Sequence, residues 1–92
     1  MKLIWFEDAE EDLDDIEKYI YNHNPKAAKE VVFHIIERIE TLLLVPNIGR
    51  LGEVLRTREL VITKYPYIVS YQVRNGDIYI LRVLHTSRKW EP

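Results

Sequence analysis

The hydrophobic period of this chain changes once, at Pro46-Asn47-Ile48-Gly49, and that change restricts the fold more than any other feature. Before it, apolar residues recur at helical spacing. Phe6, Ala9, Leu13, Ile16 and Ile20 fall 3, 4, 3 and 4 apart, and Ala28, Val32, Ile35, Ile39 and Leu42 fall 4, 3, 4 and 3 apart. Each series is one face of an amphipathic helix. After the change the period is two, the mark of strands with one buried face. Such a chain is expected to be α+β.

Local signals place the elements. Residues 3–6 are apolar and rich in β-formers, which predicts a short first strand. The first helix carries Glu7, Asp8, Glu10 and Glu11 at its start, where acids suit the positive end of the helix dipole. Asn24-Pro25 starts the second helix: Asn caps well, and Pro at the first position gives up an amide that would be unpaired anyway. About four residues separate the helices, so they form an antiparallel hairpin. Strands follow at 58–63, 67–73 and 78–85. Asn75-Gly76 joins the last two, because both residues of a tight hairpin turn need positive φ. The expected architecture is an N-terminal strand, a helix hairpin and a three-stranded antiparallel meander. The first strand joins at an edge to make about four strands, and the helices cover one face.

A two-residue turn sets the register by counting. Val73 then opposes Ile78, Tyr71 opposes Ile80, Val69 opposes Arg82 and Tyr67 opposes Leu84. This set is the more apolar and is expected under the helices. Gln72, Tyr79, Ser70, Leu81, Ile68, Val83 and His85 fall on the open face.

The 92 residues suffice for one domain, 1–92, with a modest core. Cysteine is absent, which leaves no disulfide, thiolate metal site or thiol nucleophile and suits a reducing, cytoplasmic setting. The opening apolar run is too short for a signal-peptide core or a membrane span. The overall charge of −2 hides an asymmetry: residues 1–48 hold five Lys/Arg against eleven Asp/Glu, and residues 49–92 hold eight against four. The second half therefore suits an anionic partner, unless the two halves attract each other within the fold. His23 and His34 are isolated, so no metal site is expected.

The motifs go further than the pattern. Pro46-Asn47-Ile48-Gly49-Arg50, Arg56-Thr57-Arg58-Glu59-Leu60, Pro66-Tyr67-Ile68-Val69-Ser70-Tyr71 and Ile80-Leu81-Arg82-Val83-Leu84-His85, followed by Arg88 and Trp90, resemble in order and spacing the toxins of the RelE/ParE superfamily. The helical half, with Ala9, Leu13, Tyr19-Ile20 and Asn24-Pro25, agrees. The resemblance implies one half of a type II toxin–antitoxin pair, held inactive by a cognate antitoxin protein in a hetero-oligomer. It also implies one of two targets: DNA gyrase for ParE-like members, or the ribosome with its mRNA for RelE-like endonucleases. A third possibility is an inactive binding module. Neither membrane nor cofactor is implied.

The basic half supplies the candidates. Phosphate chemistry calls for Arg, whose planar fork binds oxygens bidentately, and for His as acid or base. As a ribonuclease the chain would use His85, Arg58 and Arg88. As a binding surface for target or antitoxin it would use Arg50, Arg56, Arg58, Arg82, His85, Arg88, Lys89 and Trp90. Two features point to the ParE side. RelE-like toxins usually place an arginine near the position held here by Tyr67-Ile68, and they are strongly basic, whereas the pI here is about 5.9.

Overall fold

The computed structural model describes residues 1–88. A three-residue strand, β1 (Leu3–Trp5), leads into helices α1 (Glu7–Tyr21) and α2 (Pro25–Glu40) and a 3-10 turn at Thr41–Leu43. The strands β2 (Arg50–Leu51), β3 (Arg58–Ile62), β4 (Tyr67–Arg74) and β5 (Asp77–His85) follow, with a last 3-10 turn at Thr86–Arg88. They form one sheet of order β1-β5-β4-β3-β2, in which β1 runs parallel to β5 and every other pair is antiparallel. The expected strand, helix hairpin and meander are all present, and β2 extends the sheet by a strand too short to leave a period.

Both helices begin as their sequences dictate. The Asn24 side chain accepts from the Ala27 amide at 3.2 Å, with Pro25 at the first helical position. Phe6 lacks a capping oxygen, and Glu7, Asp8 and Glu10 meet the open amide end of α1 by charge instead. The hairpin packs Ala9 of α1 and Ala28, Val31, Ile35 and Ile39 of α2 toward the sheet. Val31 takes the buried place expected for Val32, which is only half-buried. The core closes on Leu60, Ile62, Tyr67, Val69, Tyr71, Ile78, Ile80 and Val83.

The turn is the one anticipated: Asn75 and Gly76 have φ of 53° and 80°. Val73 pairs with Ile78 and Tyr71 with Ile80, as counted from it. Beyond that the register shifts. Ser70 pairs with Arg82, so Leu81 is an extra, unpaired residue, a β-bulge in β5. Val69 therefore faces Val83 rather than Arg82, and Tyr67 faces His85 rather than Leu84. Four expectations are corrected. Arg82 and Leu84 leave the helix-side set and pair with Ser70 and Ile68. Val83 and His85 lie on the helix-side face instead, where Val83 is 2% exposed and the His85 ring meets Tyr67 edge-on at 5.4 Å between centroids.

The bulge has a visible cause at the sheet edge. The β1–β5 pairing ends at Trp5–Ile80, so beyond it the β1 side of β5 has no strand beside it among the described residues. Asp12 of α1 fills that gap. One carboxylate oxygen accepts from the Val83 amide at 2.9 Å and from Arg82 Nε at 2.8 Å, and the other accepts from an Arg82 terminal nitrogen at 3.0 Å. The extra residue lets both Arg82 and the Val83 amide reach the same carboxylate. Helix α1 is thus fastened to β5 by a bidentate, charge-assisted pair.

Candidate functional site

The cation-rich part of the molecule is the β2 edge of the sheet with the loops on either side of it. Its shape is set from within by Tyr71, which is fully buried on β4. The Tyr71 hydroxyl donates to the Pro46 carbonyl and accepts from the Gly49 amide, both at 2.8 Å. Burial raises the Tyr71 pKa, with the Gly49 amide and Arg58 pulling the other way. Gly49 is needed because a Cβ there would lie 2.6 Å from the Tyr71 ring and hydroxyl and 2.9 Å from the Glu59 carbonyl. Arg58 adds two further ties, donating to the carbonyls of Gly49 at 2.8 Å and Asn47 at 3.3 Å. The loop between α2 and β2 is therefore fixed to the sheet by a phenol and a guanidinium.

The second loop, residues 52–57, is held as firmly. The Gly52 amide donates to the Thr57 carbonyl at 2.8 Å, and the Thr57 hydroxyl donates to the Val54 carbonyl at 2.6 Å. Arg56 sits at its end with φ of 66°, its carbonyl accepting from the Gln72 side chain at 3.2 Å and its own side chain exposed. Arg50 pairs with Glu59 at 2.9 Å, its side chain half exposed while that of Glu59 is buried. The second carboxylate oxygen of Glu59 and the Ser70 hydroxyl, on directly paired residues, are buried without a hydrogen-bond partner.

The remaining candidates lie elsewhere. Arg82 is committed to Asp12, and that hydrogen bond first, against the opposing effect of burial, raises its pKa further. His85 ends β5 with Nδ1 accepting from the Ser87 amide at 3.1 Å and 2.8 Å from the Ser87 hydroxyl. An acceptor Nδ1 puts the imidazole proton on Nε2. Arg88 closes the last turn, but its side chain, like Lys89 and Trp90, lies outside the described residues.

The structure does not bring His85 and Arg58 together. His85 pairs with Tyr67 and Arg58 pairs with Tyr71 on opposite edges of β4. Four residues along that strand separate the two levels, roughly 13 Å, with two strand spacings of about 4.8 Å across. One phosphate cannot touch both. Tyr67 and Ile68, the positions without a cation, are buried. Among the described residues no group of three or more His, Asp or Glu could hold a metal, and no helix is long and apolar enough to cross a membrane.

What sequence reasoning missed is the apolar surface around β2. Leu44, Val45, Ile48, Leu51, Val54 and Leu55 are all exposed, Leu44 and Leu55 at 85% and 84%. Their spacing fits neither helix nor strand, and that lack of period in an apolar stretch was the available signal.

An α+β domain with this element order, its loops tied to the sheet and its cations dispersed along it, defines a class: the RelE/ParE type of toxin fold. Comparison with known proteins narrows the class. A family model described as the ParE toxin of type II toxin–antitoxin system, parDE, matches residues 3–90. Y4kP of Sinorhizobium fredii, named provisionally as a toxin, is 40% identical over 78 residues, covering 85% of this chain and 80% of that protein. Toxin RelE2 of Caulobacter vibrioides is 32% identical over 87 residues, covering 95% and 97%. Among solved structures, the chromosomal ParDE toxin–antitoxin system of P. aeruginosa matches with a TM-score of 0.86 and 30% identity, over 92% of this chain and 95% of that one. The chain belongs to the ParE toxin family of type II toxin–antitoxin systems.

Proposed function

We propose that this toxin inhibits growth by binding and poisoning DNA gyrase, and that a cognate antitoxin protein neutralises it in a cytoplasmic hetero-oligomer. The observation that carries the target is the dispersal of the chemistry: His85 and Arg58 sit on opposite edges of β4, four residues apart along it, and Arg82 is spent on Asp12. Acyl or phosphoryl chemistry needs its acid, base and charge-stabilising groups within reach of one reacting centre. A protein-binding inhibitor needs only a shaped surface, which the tied loops provide. The ParE match over residues 3–90 supports the same choice.

The test uses relaxed plasmid, purified gyrase and ATP with increasing amounts of the protein. Supercoiling should be blocked, or cleaved DNA should accumulate, at concentrations comparable with the enzyme. Undisturbed supercoiling together with cuts in ribosome-bound mRNA would replace this reading with the endonuclease one. Normal growth on induction without antitoxin would replace both with a binding module.

A further inference from the structure

The outer side of the helix hairpin carries large apolar groups that the core does not use. A groove runs between α1 and α2, floored by Trp5, Leu13, Val32 and Ile36, all half-buried. Tyr21 lines its far end, 55% exposed, and Phe33 stands on α2 beside Val32, 64% exposed. Each helix gives the groove one stripe. Glu10, Asp14, Glu17 and Tyr21 of α1 fall 4, 3 and 4 apart, and Lys29, Val32 and Ile36 of α2 fall 3 and 4 apart, so each set shares a face. The sheet takes other positions, Ala9 on α1 and Val31, Ile35 and Ile39 on α2. Exposed apolar surface rimmed by charge marks an interaction site.

The order of the charges selects the occupant. Next to the loop between the helices the groove is basic, with Lys18 and Lys29. Toward its other end it is acidic, with Glu10 and Asp14, and Glu17 stands between. Lys18, Lys29, Glu10 and Asp14 are exposed, and neither ion pair of the described residues involves them. A two-fold axis through the middle of the groove, near Val32, would lay a second hairpin over the first in reverse. The basic end of each copy would then cover the acidic end of the other, and the two Phe33 rings would fall close to the axis. A two-fold interface needs one patch that is complementary to itself, and a groove with opposite signs at its two ends has that property. A partner of one sign would match one end and oppose the other.

We infer that the outer face of the α1–α2 hairpin is a docking site for a second copy of this chain, packed antiparallel so that the two hairpins form a four-helix layer. The 16 residues of α2 make the face about 24 Å long, and two helices side by side make it about 20 Å wide. Two such faces bury roughly 1,000 Å², the low end for a specific interface, so the dimer is weak and reversible. The inference is independent of the target proposed above.

The test is sedimentation of the full chain, made by cell-free synthesis, over about 1–300 μM. A monomer–dimer equilibrium reaching twice the 11.0 kDa of one chain is expected. Phe33→Glu, at an exposed position, should raise the dissociation constant about tenfold or more. A charge swap then reads the orientation. The double variant Lys18→Glu, Lys29→Glu and the double variant Glu10→Lys, Asp14→Lys should each associate about tenfold more weakly than the wild type, because like charges now meet. An equimolar mixture of the two should recover wild-type affinity, since their ends again face opposite signs. A wild-type chain that stays monomeric to about 300 μM, or a mixture no tighter than its components, would overturn the inference. So would a dimer that Phe33→Glu leaves intact and Leu44→Glu with Leu55→Glu abolishes, which would give self-association to the β2 edge. Amide shifts of the isotope-labelled wild type on dilution, expected along the outer stripes of α1 and α2, decide the site even if a variant misfolds. None of these measurements involves gyrase, so failure of the proposed target leaves them unaffected.

Discussion

At the scale of single residues, one phenol sets the shape of the β2 edge. Tyr71→Phe removes a donor to Pro46 and an acceptor for Gly49 while leaving the ring in place. A buried amide and a part-buried carbonyl lose their partner, which should cost about 1–3 kcal/mol in urea unfolding. Gly49→Ala should cost at least as much, because its methyl meets backbone as well as ring. The same tyrosine gives a pH signature. Burial, the largest influence on both groups, raises the pKa values of Tyr71 and Tyr67 above the ordinary 10.0. The unfolded chain then releases these protons first as pH rises. The contribution of these two phenols should be level below pH 10 and fall above it as the pH climbs toward the folded values, and the alkaline fall should be shallower in Tyr71→Phe. A fall of equal steepness in that variant would show that Tyr71 is not the group responsible.

At the scale of elements, sequence was legible wherever a residue acts on its own neighbours. Asn24 caps α2 through an amide three residues away, and Asn75-Gly76 turns the hairpin by its own backbone preference. The β5 bulge was not legible, because its cause is Asp12, some seventy residues distant. A regular ladder is the default from counting, and it predicts the wrong partner for every residue past Ile80. Likewise β2 has no pattern of its own, and the apolar surface around it serves no internal core. The candidate residues could be named from motifs, but their separation across β4 depends on pairing that only the folded sheet reveals. The Asp12 contact is open to a graded test. Asp12→Ala leaves Arg82 and the Val83 amide unpaired and should cost about 1–3 kcal/mol. Asp12→Asn keeps an acceptor oxygen and should cost less. Equal costs would mean that the charge, and not the capped amide, holds α1 to β5. Hydrogen exchange should speed up at Val83 in the first variant and much less in the second.

At the scale of the whole molecule, the charge asymmetry allowed two readings: halves that attract each other, or halves kept for partners. Two ion pairs form among the described residues, and Arg82–Asp12 is the one that joins the halves, since Arg50–Glu59 lies within the strands. The other acids of α1 repel one another. Glu7, Asp8, Glu10, Glu11, Asp14, Asp15 and Glu17 each have another of the set three or four residues away along the helix, and each like-charged pair at that spacing costs about 0.2–0.5 kcal/mol. Salt should therefore relieve more repulsion than attraction. The Debye length shrinks from about 30 Å at 0.01 M to about 3 Å at 1 M, so exposed charges feel it most and the bidentate Arg82–Asp12 pair least. Raising NaCl over that range should raise the Tm by a few degrees, given about 4–8 °C per kcal/mol for a domain of this size. A Tm that falls with salt would show that the halves hold each other, leaving the arginines of the strand half less free for a partner.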